Sequence, residues 1–449
     1  MQYETNSKLI KKGDIFVAIK GCHYDGHNFI NEAINNGAIK IIGEENFKGN
    51  VKYKKVKSSK KYLTKILGKQ NSMLTKKMKI IGITGTKGKT TTSMIIYQLL
   101  KSLNVPVAYI GTLGLLYKDE HIILENTTPD IITLNKIFKT LNSENIDNVV
   151  MEVSSHALCE KRTKGIAFDN SVFTNFSQDH LDYHKTMKNY LNAKLKIIRK
   201  TINNIVVNSD DISFASIKKK TKRYISVGKN ADFKLIDYKL FQTHSIVTFE
   251  YHYDTYTVSI PLVGKHNIYN YLEAIATLID MGYEMSNLIN ASNSLKPIPG
   301  RNELISLPKG YVIIDYAHSP ASVKETLLTY NELKKGRIIT IIGCGGNRDK
   351  TKRPIMGKIA VENSDYVIFT SDNPRDEDPN MILKDITKDL TQKNYEIISD
   401  RKKAIKKGVK LLKKNDYLLI LGKGHEDYQI INNVKYHLSD KEEVLKYLS

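Results

Sequence analysis

The densest chemistry-bearing stretch of the chain is residues 78–92, M-K-I-I-G-I-T-G-T-K-G-K-T-T-T. Ile80, Ile81 and Ile83 read as a buried strand that breaks into a loop holding Gly85 and Gly88. Lys89 and Thr90 then open a helix, predicted to be amphipathic, with Met94, Ile95, Leu99 and Leu100 on its apolar face. A strand, a glycine loop and a helix N-terminus together make a phosphate cradle. Glycines let backbone N–H groups turn toward an anion, the helix dipole favours negative charge, Lys89 supplies a cation, and Thr90 offers a hydroxyl to Mg²⁺. The commoner pattern puts four residues between a first glycine and the Gly-Lys pair, and that first position is Ile83 here. The loop is a variant cradle, to be judged by its company; the plainer alternative is a turn with no ligand.

Other polar clusters supply that company. Glu152 ends the apolar run 149–153 and precedes Ser154, Ser155 and His156. A carboxylate at the end of a parallel strand, after a phosphate loop, suits a second Mg²⁺ ligand, although a helix-capping acid has the same signature. Residues 174–184, T-N-F-S-Q-D-H-L-D-Y-H, hold Asp179, His180, Asp182 and His184 within one short stretch. With no HExxH motif and no paired cysteines, a hard ion such as Mg²⁺ is preferred there to zinc. Farther on come G-C-G-G-N-R-D-K (343–350), D-N-P-R (372–375) and G-K-G-H-E (422–426), each after an apolar run. Arginine forks clamp carboxylates, and a glutamate pairs with an ammonium group. Arg348, Arg375 and Glu426 would therefore fit a zwitterionic amino acid.

These residues need elements to hold them. Residues 1–77 read as a small α/β unit, with strands at 14–19 and 38–42, a helix at 28–36, and an exposed connector plus helix from 52 to 79. The polar loop 21–27 between them reads equally as a binding loop or a surface turn. Residues 78–298 form a second unit, with strands near 107–110, 149–153, 172–174 and 205–207 alternating with helices, hence a mainly parallel sheet. From 222 to 263 period-two alternation around a turn at Asp254 predicts an antiparallel hairpin region, followed by a helix at 266–281. Pro297, Pro299 and Gly300 punctuate a boundary to a third α/β unit, 299–449. Its strands are placed at 312–315, 338–342, 366–370, 396–398 and 417–421, so that Asp315, Gly343, Ser371 and Gly422 gather at their carboxyl ends.

Composition limits the partners. With 449 residues, 41% hydrophobic and 26% charged, the chain is an ordinary globular protein of two or three domains. Its three cysteines are far apart, which argues for a reducing compartment and against a thiolate metal site. No signal-peptide core and no long apolar run is present, so a cytoplasmic protein without membrane insertion is expected. A net charge of +22 suggests nucleic acid first. The lysines are spread over every segment without a recognition-helix motif, however, so a solvated basic surface and no nucleic-acid partner are expected. No Asp or Glu occurs from 46 through 118, which suits a polyanionic nucleotide at the cradle.

Taken together, G-T-K-G-K-T-T, E-N-T-T-P-D (125–130), M-E-V-S-S-H, F-T-N-F-S-Q-D-H-L-D-Y-H, L-V-G-K-H-N-I-Y-N, P-G-R-N-E, D-Y-A-H-S-P and G-K-G-H-E resemble, in order, the motifs of the Mur ligase family. Within it the chain is most similar to the MurE type of UDP-N-acetylmuramoyl-tripeptide synthetase, over nearly its whole length. The resemblance implies an α/β protein of three domains: a small α/β N-terminal domain (1–77) for UDP-MurNAc, a central P-loop-type ATPase domain (78–298) with a mainly parallel sheet and an antiparallel β subregion, and a Rossmann-like C-terminal domain (299–449) for the amino acid. It implies a monomer using ATP and Mg²⁺ to join meso-2,6-diaminopimelate to UDP-MurNAc-L-Ala-D-Glu through an acyl phosphate, in peptidoglycan precursor synthesis.

Carried over motif by motif, Lys89, His180 and Lys194 would be catalytic, and Gly85, Thr86, Lys87, Gly88, Lys89, Thr90, Thr91, Asn267, Asn270, Arg301 and Asp315 would contact ATP. Thr90, Glu152, His180 and a carbamate on Lys194 would hold metal; without the family, Lys194 reads as a surface helix lysine. Ser7, Cys22, His23, Tyr24, Asn126, Thr127, Thr128, Ser154, Glu160 and Arg162 would grip UDP-MurNAc-peptide. Arg348, Asp372, Asn373, Pro374, Arg375, Gly422 and Glu426 match diaminopimelate-binding positions, since D-N-P-R accompanies diaminopimelate in that family and lysine-adding members usually lack its arginine. The chain departs from the pattern by starting almost at the uridine motif, by Asn6-Ser7-Lys8 in place of D-S-R, by Glu160 for a glutamine, and by His266 for a phenylalanine. The alternatives are the same ligation with L-lysine or another diamino acid, and a folylpolyglutamate-synthase-like ligase.

Overall fold

The computed structural model describes residues 2–21 and 24–448; Cys22 and His23 of the predicted uridine loop lie outside the described residues. Two compact units emerge, one of Met1–Ile81, Pro106–Asp169 and Arg199–Ile202, the other of Gly82–Val105, Asn170–Ile198 and Asn203–Ser449. The chain passes from the first to the second within the strand Lys79–Thr84.

The first unit contains a parallel four-stranded sheet in the order Tyr3–Glu4, Ile15–Val17, Lys40–Gly43, Lys52–Lys55. Its central strands are covered on both faces, Phe16 and Ile41 packing with Ile30 and Ala33, and Ile15, Val17 and Ile42 with Leu63 and Leu67. Burial on both faces erases polar alternation, so the sequence shows an apolar run. The expected connector after residue 52 is instead the edge strand Lys52–Lys55, whose lysines guard an open edge against further pairing. The same unit pairs Val107–Gly111 in parallel with Asn148–Glu152 and antiparallel with Gly114–Tyr117, which pairs in turn with Glu120–Ile122. The last two strands, four and three residues long, are too short for periodicity to reveal.

In the second unit Asn170–Phe173, Ile205–Asn208, Tyr224–Gly228 and Phe233–Leu240 run parallel, and Ser245–Tyr251 and Asp254–Ile260 complete the row antiparallel. The expected antiparallel region therefore begins later than residue 222. Its turn falls at His252 and Tyr253, both left-handed at φ 51° and 71°, as a two-residue hairpin with right-handed strand twist requires. The helix Lys89–Ser102 packs on the helix Lys265–Asp280. It is buried almost all round, Thr90 through Tyr97 included, rather than on the one expected face.

The C-terminal sheet, in the same unit, runs Glu303–Leu307, Gly310–Asp315, Asp416–Leu421, Ile338–Ile342, Tyr366–Phe369, Tyr395–Ile397, all parallel but the first. Asp315, Gly343, Ser371 and Gly422 do lie at carboxyl ends. Beyond them an unpredicted hairpin, Tyr428–Ile431 with Val434–His437, stands over the residues 372–375. Among the described residues no helix is long and apolar enough to cross a membrane.

Candidate active site

The phosphate loop owes its shape to close approaches. Gly85 (φ +150°) and Gly88 (φ +79°) leave no room for side chains: a Cβ would lie 1.9 Å from Thr174 Oγ1 in the first case and 2.3 Å from Asn270 Oδ1 in the second. Residues 174–177 brace the loop. Thr86 N donates to Asn175 O and Lys87 N to Asn175 Oδ1, both at 2.9 Å, while Thr174 Oγ1 donates to Lys87 O at 2.5 Å. The T-N-F-S segment, read in the sequence as part of an ion-binding cluster, is thus first of all a scaffold.

Lys89 Nζ folds back on the carbonyls of Gly85 and Thr86, at 3.0 and 2.8 Å. Lys194 Nζ donates to the same Gly85 carbonyl, and at 1% exposure Lys194 is no surface lysine. Burial, reinforced by the Lys89 charge and opposed by Asp179, pushes its ammonium well below the usual lysine range. Burial likewise lowers Lys87, against the opposing charges of Glu325, Asp179 and Asp315. Thr90 and Thr91 are buried, and Thr90 Oγ1 accepts from Arg301 Nη2 at 3.0 Å.

The Asp/His cluster divides. Burial would raise the Asp179 carboxyl, but the charges of His180, His318 and Lys352 hold it at about 2. His180, left-handed at φ 53°, has its Nε2 3.7 Å from Asp179 Oδ2. His184 is buried against the Tyr190 ring, 4.9 Å between centroids, and Asp182 is exposed. His180 meets the same Tyr190 ring edge-on, at 6.0 Å between centroids.

Beside the loop lies a cavity of about 630 Å³, walled by Lys87, Asn175, Asp210, Tyr269, Asn270 and the helix Pro320–Leu333. Asn270 reaches it directly. Asn267 stands behind, accepting from Asn270 Nδ2 at 3.1 Å and donating to Val263 O at 2.8 Å. His266 also lines the cavity, with Nδ1 3.7 Å from Glu325 Oε1. Arg301 lies over the Tyr316 ring at 4.7 Å. Burial raises Asp315, although the Arg301 charge and the N–H groups of Asn302 and Ala317 oppose it.

At the carboxyl edge of the C-terminal sheet the three predicted loops meet. Arg375, left-handed at φ 55°, donates from Nη1 to Gly346 O at 2.8 Å, and the Arg348 charge, after burial, lowers its guanidinium. Asn373 Nδ2 donates to Glu426 Oε2 at 2.8 Å. A Cβ on Gly422 would lie 2.6 Å from Asp372 Oδ2, and Pro374 is buried. Sequence reasoning missed two supports. Fully buried Lys423 donates to Glu426 Oε2 at 3.1 Å and to Tyr428 O, so Glu426 already has one ammonium partner. The 428–437 hairpin fixes the D-N-P-R backbone: Arg375 N donates to Ile430 O, and Ile430 N to Asn373 Oδ1, both at 2.9 Å. Only the lysine's place inside G-K-G-H-E hinted at this.

The first unit assembles a separate constellation. Buried Glu152 accepts from Tyr109 Oη at 2.5 Å and Thr112 N at 2.9 Å, so neither support came from a predicted motif. Thr127 Oγ1 lies 3.1 Å from Thr112 Oγ1. Thr128 Oγ1 donates to Glu152 O and accepts from Ser154 N, both at 2.9 Å; Arg162 donates to Thr128 O at 2.8 Å. Glu160, where a glutamine was expected, binds Arg162 at 2.7 Å and offsets its charge. Ser154 caps its own helix through Ala157 N, and Asn126 is exposed. Ser7 is occupied elsewhere, donating to Glu32 at 2.6 Å, and Tyr24 is 77% exposed.

The chain matches the Mur ligase family catalytic domain over residues 2–70, the Mur ligase middle domain over 83–278, and the Mur ligase glutamate ligase domain over 300–424. It is 39% identical to the UDP-N-acetylmuramoyl-L-alanyl-D-glutamate--2,6-diaminopimelate ligase of Clostridium tetani, over 99% of this chain and 93% of that protein. The ligase of the same name from Aquifex aeolicus is 40% identical, over 99% and 92%. A solved structure of a ligase with that name superimposes with a TM-score of 0.69 at 28% identity, covering 100% of this chain and 94% of the other. The MurF ligase of Thermotoga maritima in complex with ADP shares the fold, with a TM-score of 0.73 at 22% identity over 100% and 96%. The chain belongs to the Mur ligase family, with its three-domain α/β fold and its ATP-dependent amide-forming activity.

Proposed function

We propose that this ligase joins meso-2,6-diaminopimelate to UDP-MurNAc-L-Ala-D-Glu. The observation that carries the reading is the convergence of Arg348, Arg375, Asn373 and Glu426 at one sheet edge. A guanidinium pair suits a carboxylate, and an acid already paired with Lys423 is held in place to take an ammonium. Diaminopimelate offers both at its far end, whereas L-lysine has no second carboxylate. Relatives named for diaminopimelate addition, 39 and 40% identical, support the same choice.

The terminal D-Glu carboxylate attacks the ATP γ-phosphorus, the bond to ADP breaks, and an acyl phosphate forms. The incoming amine attacks the acyl carbon, phosphate leaves, and the amine proton is lost as the amide closes. Lys89, released from the loop carbonyls, neutralises the transferring phosphoryl group, and Arg301 donates to phosphate from beside Thr90. Asn270 and Asp315 hold the nucleotide. Thr127, Thr128, Ser154 and Arg162 orient the UDP-MurNAc-peptide, with the 21–27 loop toward the uridine. In this reading residues 1–77, 78–298 and 299–449 carry the sugar nucleotide, ATP and amino acid respectively.

Each residue assigned to Mg²⁺ has a suitable donor taken by itself: the buried Thr90 hydroxyl and the buried Glu152 carboxylate are hard oxygens, and His180 offers an imidazole nitrogen. A cationic Lys194 does not fit. Burial favours its neutral amine, the form that adds CO₂ to become an anionic ligand. Bound Mg²⁺ would supply charge neutralisation at the phosphoryl group. Phosphate release with ATP, UDP-MurNAc-L-Ala-D-Glu and each diamino acid in turn tests the reading. Turnover with diaminopimelate is expected, and turnover with L-lysine alone would overturn the specificity.

A further inference from the structure

The nucleotide cavity ends on a residue that no motif singled out. Glu273, on the helix Lys265–Asp280, lines the cavity and is 1% exposed, and its Oε1 has no hydrogen-bond partner. Its other oxygen, Oε2, lies 3.3 Å from Thr92 Oγ1, and the same hydroxyl is 3.3 Å from Asn270 Oδ1. Asn270 Nδ2 donates to Asn267 Oδ1 at 3.1 Å, and Asn267 Nδ2 to Val263 O at 2.8 Å. Thr92 itself is fully buried in the helix that follows the phosphate loop. The result is one unbroken polar chain, Glu273–Thr92–Asn270–Asn267, which meets the cavity at Glu273 and Asn270.

We propose that Glu273 is a positioning residue for ATP: through the Thr92 hydroxyl it fixes the orientation of the Asn270 amide at the nucleotide cavity. This rests on the reading of that cavity as the ATP site. Proton counting gives the mechanism. Thr92 has a single hydroxyl proton and two acceptors within reach. When Glu273 is protonated, its O–H donates to Thr92 Oγ1, and the Thr92 proton is left for Asn270 Oδ1. When Glu273 is ionised, the carboxylate takes the Thr92 proton, and Asn270 Oδ1 loses its donor beside Gly88. The chain then no longer holds one sense.

The surroundings favour the protonated acid. Burial raises the carboxyl well above the usual range, Asp211 adds to the rise, and the Thr92 hydrogen bond opposes it. Of the four strands packed on the helix, Asn170–Phe173, Ile205–Asn208 and Tyr224–Gly228 carry no charged side chain, and Phe233–Leu240 carries Lys234, Asp237 and Lys239. The packed helix Lys89–Ser102 brings charges only at Lys89 and Lys101. Around the cavity stand Lys87 of the phosphate loop, Asp210 beside Asp211, and Lys324, Glu325 and Glu332 of the facing helix. Lys265 and His266 are on the same helix as Glu273. No cation is paired with Glu273 itself among the described residues.

The test is the affinity of the full chain for a non-hydrolysable ATP analogue, by calorimetry from mildly acid to alkaline pH, for wild type, Glu273→Gln, Glu273→Ala and Asn270→Ala. The amide introduced by E273Q donates to Thr92 as the protonated acid does but has no proton to lose. We expect wild-type affinity to weaken more than that of E273Q as pH rises; every other titratable group is common to both proteins, so the difference between the profiles isolates Glu273. E273A should bind about five- to tenfold more weakly at every pH, the effect of one displaced hydrogen bond, with kcat at saturating ATP little changed. A role in packing alone would lower the melting temperature of E273A and leave the wild-type and E273Q profiles parallel. Parallel profiles, or normal binding by E273A, would overturn the proposal. Unchanged binding by N270A would instead sink the cavity reading beneath it.

Discussion

Arg375→Ala offers the sharpest test of how the acceptor amino acid is recognised. One guanidinium nitrogen, Nη1, is taken by Gly346 O at 2.8 Å and Asn373 O at 3.3 Å, which aims the rest of the fork. A charge-assisted hydrogen bond to a carboxylate is worth about 1.5–3 kcal/mol. At about 1.4 kcal/mol per factor of ten, the variant should raise KM for diaminopimelate roughly 10- to 150-fold. Arg348 remains to hold part of the negative charge, which places the effect toward the lower end. The carboxylate concerned is remote from the reacting amine, so kcat should fall much less than kcat/KM, and KM for ATP should stay within about twofold. L-Lysine lacks that carboxylate, so its poor use should be nearly unaffected, and the preference for diaminopimelate should collapse. Phosphate release at varied concentrations of each amino acid gives these numbers. Melting temperature controls for the two lost loop contacts, each worth about 1 kcal/mol. An unchanged KM for diaminopimelate in a folded R375A protein would falsify the assignment of the arginine.

Three further outcomes follow from the same geometry. Lys194→Ala should lose roughly a hundredfold or more in kcat, as removal of a charge-stabilising group does, and added CO₂ should not restore it; normal turnover would refute the carbamate role. Arg401 and Asp440 form a fully buried pair with two bonds of 2.7 Å, so Asp440→Ala should cost about 3–5 kcal/mol in denaturant unfolding, and a loss under about 1 kcal/mol would contradict the burial. Glu377 is held at about 2 by hydrogen bonds from Arg353, with further help from Asn347 N–H and Lys350 against burial. Its folded value lies below the unfolded one, about 4.3, so its contribution is full above that pH and disappears as pH falls toward 2. Melting temperature should thus drop more steeply between these limits in wild type than in Glu377→Gln; superimposed curves would count against it.

Much of the fold is legible in the sequence because it rests on local pattern. Strands buried on both faces show as apolar runs, and those at 338–342 and 417–421 lie within a residue of their observed limits. What escapes is short or edge structure, such as Glu120–Ile122 and the 428–437 hairpin, where little apolar area marks the residues. The helix Lys89–Ser102 reads as one-sided because its threonines look polar, yet they are buried against the helix Lys265–Asp280 and the loop.

For the site, residue types and spacing alone picked out the glycine loop at 85–90 and placed the arginine and glutamate loops on one sheet edge. A glycine loop and a fork-bearing arginine are chemically suggestive wherever they fall. Burial and partnership are different in kind, because they depend on residues brought from far along the chain. Tertiary structure alone decided that Lys194 is enclosed beside Gly85, that Thr174 and Asn175 carry the cradle, and that Lys423 already answers Glu426. It also decided that His184 is a core residue and that Glu273 ends a polar chain. Low dielectric and the counting of hydrogen-bond donors then change what each of these groups can do, and neither is a property of a residue's place in sequence.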